Sequence, residues 1–421
     1  RLLCTRRRAA VLRAVIAGLL AVTFVFTSCT PREEDRRGPP EMDLMSMEFS
    51  RIAESARGAT VRFYMWGGDA KINAWVDDFA APALAEKYGI DLIRVPMDAA
   101  VFVNKLLTEK LAGRREGVMD LLWINGENFR TAKENGLLFG PFAGKLPWAA
   151  ACDPEQIRYD FGYPTEGYEA PYGKAQFVFE YDSSKIHNPP ETLSELTAWI
   201  KENPGRFTYP EPPDFTGSAF LRQIFYLTTG GHEQYMEGFD EALYAEKVPA
   251  LWSYLRDIRP YLWKEGTTYP RSKSALDLLF ERGEVLINMS YHQAAAYGRI
   301  LDGRYPESVR TFVLKDGSIS NIHFTAIPFN SQNKAAAMTA ANFLLSPEAQ
   351  ISKNLPENWG DFTVLDLDRL PEEDRLRFAG IDLGSSTLPI GHLDANAVPE
   401  VPTGYLERIE RDWAEALFSG G

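Results

Sequence analysis

A regular alternation of strands and helices, starting near Thr60, constrains this chain more than any other feature. Val61-Arg62-Phe63-Tyr64-Met65-Trp66 alternates, is rich in β-formers and stops at Gly67-Gly68-Asp69, which reads as a strand entering a turn. Residues 72–88 carry Trp75, Val76, Phe79 and Leu84 at helical spacing, and Gly89 closes that helix. A second strand over 90–95, a helix over 101–111 ended by Gly113, a third strand over 119–124 and a helix over 129–135 follow. Strand–helix alternation predicts a mostly parallel sheet covered on both faces. Right-handed crossovers bring its loops out at one edge, where ligands of such sheets bind.

Residues 146–172 are rich in Pro, Gly and Tyr and read as irregular; 176–181 is again a strand. A second α/β region follows, with helices over 193–200, 219–227, 251–261 and 273–282, and a buried strand over 284–289. A short strand over 324–328 precedes an Ala-rich helix over 334–345, and another helix starts at Ser346-Pro347-Glu348. Two α/β regions joined by strand-like crossings suggest hinged lobes. No internal repeat is visible.

The N-terminal residues point to export. Arg6, Arg7 and Arg8 precede an uncharged, mostly apolar run over 14–26. That run is too short to span a bilayer, so residues 1–28 read as a signal peptide. Cys29 follows Thr27-Ser28 and resembles a bacterial lipobox cysteine, with Phe26 where that motif usually has Leu. The alternative is an ordinary signal peptide with an incidental cysteine. Residues 31–41 are charged, contain Gly38-Pro39-Pro40, and suit a flexible tether; we take 29–58 as that tether. Of the three cysteines, Cys4 and Cys29 belong to the leader, so Cys152 has no partner for a disulfide. The formal charge of −13 becomes more negative once the five arginines of 1–28 are removed, which argues against a nucleic-acid partner.

Several motifs then carry a resemblance. Ala170-Pro171-Tyr172-Gly173, Gly283-Glu284-Val285-Leu286-Ile287-Asn288-Met289 and Phe343-Leu344-Leu345-Ser346-Pro347-Glu348-Ala349-Gln350 resemble stretches of the extracytoplasmic solute-binding proteins of ABC importers. More narrowly, the chain resembles the YnjB-type family through Trp66-Gly67-Gly68, Trp123-Ile124-Asn125-Gly126-Glu127-Asn128-Phe129, Asn203-Pro204-Gly205-Arg206-Phe207-Thr208-Tyr209-Pro210 and Pro213-Asp214-Phe215-Thr216-Gly217-Ser218. The resemblance implies a two-lobed α/β fold of the periplasmic-binding-protein type, type II, with mostly parallel sheets and hinged crossings. It also implies lobe I over 59–176 and 291–328, lobe II over 177–290 and 329–421, and docking of a monomer on an ABC permease with its ATPase. It does not imply the solute: related branches take polyamines, thiamine derivatives, ferric iron or sugars.

Candidate ligand contacts lie where strands end. Trp66 meets a Gly67-Gly68 turn that lets backbone approach a ligand, or that serves only as a tight turn. Asn125, Gly126, Glu127 and Asn128 follow the third strand; Asn128 could equally cap the next helix and Glu127 complement its dipole. Phe215, Thr216, Gly217 and Ser218 precede the helix expected at Ala219, with Ser218 as its N-cap. Tyr291 and His292 end a buried strand, and Asn321 precedes another. Tyr172 is a weaker candidate, and Tyr181 is better explained by hinge packing. Aromatic rings with Glu127 favour a small cationic or amphipathic organic solute.

Enzyme signatures are missing from the sequence. Thr216-Gly217-Ser218-Ala219-Phe220 lacks the spacing of G-x-S-x-G, and His232-Glu233 has Met236 where a zinc helix needs His. The histidines, 187, 232, 292, 323 and 392, are scattered, and Cys152 lacks an activating neighbour in sequence. We therefore expect no cofactor, no metal and no catalysis. The rival readings are an exported glycosidase-like hydrolase using Glu127 with a second acid, and an adhesive protein without a cleft.

Overall fold

The computed structural model describes residues 43–418; the expected signal peptide, Cys29 and the start of the tether lie outside the described residues. Residues Leu44–Gly421 form the unit that carries the fold.

The end of the expected tether is folded rather than extended. Helix α1 (Phe49–Ser55) buries Ile52 completely, and Leu44 and Ala56 are buried beside it. The charged composition that argues for a tether stops at Glu41; beyond it, Leu44, Phe49 and Ile52 supply an apolar face that packs into a core. β1 (Thr60–Met65) turns Val61, Phe63 and Met65 toward one core and Tyr64 toward another, so both its faces are covered. A helical run, Ala70–Ala74, a π segment Trp75–Ala80 and Ala81–Tyr88, ends at Gly89, whose φ of 63° needs a residue without Cβ. Then come β2 (Asp91–Pro96), α2 (Ala99–Leu111), β3 (Leu121–Ile124) and α3 (Gly126–Glu134).

Residues 146–172 are largely irregular, as expected, but strand structure resumes earlier than expected, in β4 (Glu169–Gln176), and continues after Phe177 in β5 (Val178–Asp182). Further along lie α4 (Phe215–Thr229), α5 (Glu241–Ile258), α6 (Lys273–Glu281), β6 (Ile287–Ser290) and α7 (Ala295–Leu301). The chain ends with β7 (Val309–Phe312), β8 (Ser318–Pro328), α8 (Lys334–Leu344), α9 (Pro347–Asn354), β9 (Ala397–Pro399) and α10 (Thr403–Phe418).

The larger sheet has the order β9-β8-β3-β1-β2, with β4 and the short Leu138–Phe139 strand also on β8. β2, β1 and β3 are parallel, and β8 runs antiparallel to β3 and β4. The smaller sheet, β7-β5-β6, is antiparallel. Three segments pass between the two bodies. Gln176 leaves the large sheet and Val178 enters the small one; the chain returns between Phe312 and Ser318; and β9 at the large sheet's edge leads into α10, which packs on α4 and α5. Gln223 of α4 clamps the second crossing, accepting from Ile319 N at 2.9 Å and donating to Gly317 O.

Several elements run against the lobe ranges carried over from the wider class, among them β9, which lies within 329–421 yet pairs with β8 in the large sheet. β7 lies within 291–328 yet pairs with β5 in the small sheet. α8 lies within 329–421 yet packs in the core of the large sheet, where Ala336, Ala337, Ala340 and Ala341 permit close approach. Sequence order cannot reveal this, because an Ala-rich helix fits either body.

A candidate ligand-binding cleft

The first wall of the cleft comes from the carboxyl ends of β1 and β3. Trp66 is half exposed. Its indole lies over Gly68, where an added Cβ would stand 2.1 Å from the ring; at Gly67 one would stand 2.7 Å from Pro96 Cβ. The two glycines thus let the ring fold back against the turn. Asp69 caps the following helix, accepting from Lys71 N at 2.8 Å and Ile72 N at 3.0 Å.

After β3, Asn125 Nδ2 donates to Ile322 O at 2.8 Å and sits 3.4 Å from Asp160 Oδ1. Gly126 N donates to Asp160 Oδ2 at 2.6 Å. The N-terminus of α3 is therefore capped by Asp160, a residue from the irregular stretch. Burial pushes the Asp160 carboxyl up to about 8, against the lowering effect of the Gly126 and Asn125 donors. The N-cap position itself is Asn125, so Asn128 is not the cap; its Nδ2 donates to Glu127 Oε1 at 2.7 Å. Burial raises the Glu127 carboxyl, Glu410 and Glu407 raise it further, and Arg222 opposes them.

The opposite wall starts at α4. The helix begins at Phe215, not Ala219, and its N-cap is Asp214, which accepts from Thr216 N and Gly217 N at 3.0 Å each. These two N–H groups are used within the protein. Gly217 packs on the 210 loop, where a Cβ would stand 2.0 Å from Pro210 O. Ser218 is buried and accepts from Arg222 Nη1 at 2.6 Å. Arg222 is fully buried and pairs at two points with Glu400, 2.9 and 2.7 Å. Tyr291 donates its hydroxyl to Glu400 Oε1 at 2.8 Å. Phe215, half exposed, meets Tyr291 edge-on at 5.1 Å. The Arg222 guanidinium lies 5.5 Å from the Phe215 ring and 5.7 Å from that of Phe161. Phe161 in turn sits on Gly126, where a Cβ would be 3.4 Å away.

The remaining candidates separate. His292 Nε2 is 2.9 Å from Trp359 O and Nδ1 accepts from Ala294 N; burial holds the ring below the usual imidazole range. Asn321 is half-buried with no partner for Oδ1. Tyr172 is core, packed edge-on against Phe63, Trp123 and Trp359, and Tyr181 belongs to the small sheet. Cys152 is buried and its thiol is pushed up to about 12 by burial, which leaves it unreactive. Among the described residues, no group of three or more His, Cys, Asp and Glu side chains is placed to hold a metal ion.

Arg222, Glu400, Asp160, Phe161 and Glu410 were not among the sequence candidates. One signal existed: Arg222 is the lone charge in the apolar run 219–227, four residues after Ser218 and so on the same helix face. Glu400, 178 positions away, had none.

The two bodies meet on either side of these residues. Lys71 Nζ is 3.3 Å from Gly298 O and 3.3 Å from Asp302 Oδ1. Arg130 of α3 reaches α10, at 2.6 Å to Thr403 Oγ1 and 2.7 Å to Glu407 Oε1.

Two α/β bodies joined by three crossings define a two-lobed protein. Residues 74–353 match the profile of the family described as bacterial extracellular solute-binding protein, and the chain belongs to that family. It is 39% identical over 369 residues to Protein YnjB of Escherichia coli, covering 87% of this chain and 93% of that one. It is 23% identical over 247 residues to the thiamine-binding periplasmic protein of Salmonella typhimurium, covering 57% and 67% respectively. Its fold matches a spermidine/putrescine ABC transporter substrate-binding protein of Streptococcus pneumoniae with a TM-score of 0.59 and 15% identity, over 85% of this chain and 99% of that one. The chain is thus a solute-binding protein of an ABC transporter working outside the cytoplasm, and the hydrolase reading is not favoured.

Proposed function

We propose that the cleft captures a small cationic organic solute without transforming it and hands it to the permease of an ABC importer, whose ATPase drives uptake. Capture works by lobe closure: the ligand stabilises the closed form in proportion to its preference for it. Trp66 and Phe215 supply apolar faces, and Glu127, with Asn125, Gly126 and Asn128 beside it, the negative charge. Gly67, Gly68, Thr216, Gly217 and Ser218 shape the walls, and Tyr291 backs Phe215; the part-buried His292 and the separate Asn321 are not assigned a ligand contact. The observation that carries this reading is a half-exposed ring at the start of α4, Phe215, and a second after β1, Trp66, together with two acids, Glu127 and Glu410, whose carboxyls burial raises. Burial raises Glu410 as well, with Ser218 and Arg222 opposing. A bound cation relieves both carboxyls. A relative bears the name of a thiamine-binding protein, and thiamine is such a cation.

We further propose that the mature chain works as a monomer tethered through a lipid on Cys29. Intact mass measurement of the membrane-extracted protein tests this: a diacylglyceryl adduct at Cys29 is expected, and an unmodified, freely released chain overturns it.

Thermal unfolding with added solutes tests the ligand class, since a true ligand raises the melting temperature by mass action. Thiamine or a polyamine is expected to raise it. A rise with neutral sugars alone overturns the cationic reading, and turnover of a glycoside abolished by Glu127→Gln overturns the non-enzymatic one.

A further inference from the structure

Lys71 reaches from one body to the other. It belongs to the helical run Ala70–Ala74, which Asp69 caps directly after the Trp66-Gly67-Gly68 turn. Asn73 of the same run donates to Gly67 O at 2.9 Å, so the turn is held to the run. An ammonium has three N–H donors, and three acceptors stand 3.3 Å from Lys71 Nζ: Pro356 O, Gly298 O and Asp302 Oδ1. Pro356 lies on the large body, where nearby Trp359 packs on Trp75 at 5.6 Å. Gly298 and Asp302 lie on the small body. Gly298 is within α7, Asp302 caps its end, and Arg299 between them pairs with Asp277 of α6.

Gly298 is shaped for this contact. Glycine inside a helix is unfavourable relative to alanine. A Cβ at Gly298 would stand 3.2 Å from Lys71 Nζ and 3.7 Å from Pro356 O. The missing side chain therefore leaves room for the ammonium. An exposed ion pair alone is worth little, and the Asp302 side chain is 46% exposed. Two carbonyls and a cleared helix face make this a seat rather than a surface pair.

We propose that Lys71 is a positioning residue for solute capture: seated at the end of α7, it holds the two bodies closed without touching the solute. This rests on capture by lobe closure. Because its three donors are spent on the chain, Lys71 acts on the closed form and not on the solute. A solute held on the Trp66 turn and the Lys71 seat favour the same form. Loss of the seat shortens the life of the closed complex.

Hydrogen exchange of backbone amides in the full, ligand-free chain tests the seat, with residues 66–73 reporting one body and 295–303 the other. Lys71→Met is expected to speed exchange in 295–303, and Asp302→Asn and Gly298→Ala to speed it in 66–73, each by about three- to tenfold. Each change falls on the body that does not carry the substitution, which loss of local structure would not produce. Alanine favours a helix over glycine, so Gly298→Ala keeps α7 while crowding the ammonium. Exchange that changes only around the substituted residue, or nowhere, overturns the proposal. A kinetic arm follows release of thiamine by stopped-flow tryptophan fluorescence. Release from Lys71→Met is expected to be about tenfold faster, the worth of one charge-assisted contact, with the ligand-free melting temperature nearly unchanged. Equal release rates overturn the closure role. A parent chain that binds no thiamine counts against the cationic reading alone, since the exchange arm needs no solute.

Discussion

Arg222 and Glu400 form a two-point ion pair, Nε to Oε2 at 2.9 Å and Nη2 to Oε1 at 2.7 Å, with both side chains sealed from solvent. Arg222 belongs to α4 of one body. Glu400 directly follows β9, at the edge of the other body's sheet. The pair therefore fastens one interlobe crossing to the helix that forms a wall of the cleft. Ser218, Tyr291 and the backbone N–H of Val401 complete its hydrogen bonds.

Removing one partner of a sealed pair leaves the other as an uncompensated buried charge. Arg222→Met is expected to destabilise the chain by about 3–5 kcal/mol. The double variant Arg222→Met with Glu400→Gln is expected to recover part of that. Urea unfolding measures both; a loss under about 1 kcal/mol for the single variant would show that the pair adds little.

In the cleft, Glu127→Gln is expected to weaken a cationic ligand by about ten- to a hundredfold while leaving the ligand-free melting temperature nearly unchanged. Because burial and the α10 acids raise the Glu127 carboxyl, protonation sets in at higher pH than for an exposed glutamate. Affinity is thus expected to fall as pH drops from 8 to 5, and to fall much less in the Gln variant. Titration calorimetry at both pH values reads this.

Gly68→Ala puts a methyl where the Trp66 indole lies, 2.1 Å from the ring. The ring must swing away. A shift in tryptophan fluorescence and weaker ligand binding are expected, with little change in stability because the ring is already half exposed. Unchanged affinity would remove Trp66 from the binding surface.

Asp160 and Glu169 are buried acids whose carboxyls are raised, so the folded chain holds protons that the unfolded chain releases. Stability is therefore expected to fall as pH rises from about 4 toward 8, the window between an ordinary carboxylate and Asp160 at about 8. The slope for each is at most about 1.4 kcal/mol per pH unit. Asp160→Asn is expected to flatten the curve, as measured by urea midpoints across that range. An unchanged slope would mean that Asp160 stays ionised when folded.

Much of the first body could be read from the chain because its signals are local. The strand expected over 61–66 is Thr60–Met65, the helix expected over 101–111 is Ala99–Leu111, and Gly89 ends its helix as expected. β4 was partly missed because Glu169–Gln176 contains Pro171 and Gly173, which read as loop. Its strand character comes from pairing with β8, more than 140 positions later, and β8 itself runs from Ser318 rather than 324 for the same reason.

By itself, the sequence determined the α/β rhythm, the turns at the ends of β1 and β3, and the motifs that carry the family. Those follow from residue spacing and backbone preference within a few turns of chain. Only the tertiary structure decided which of the turn residues remain available in the cleft. Asp214 took the N–H groups of Thr216 and Gly217, Asp160 took that of Gly126, and Arg222 engaged Ser218. Trp66 and Phe215 were left half exposed. A polar group removed from water must find a partner, and whether that partner is the ligand or another part of the chain depends on contacts that sequence order does not encode.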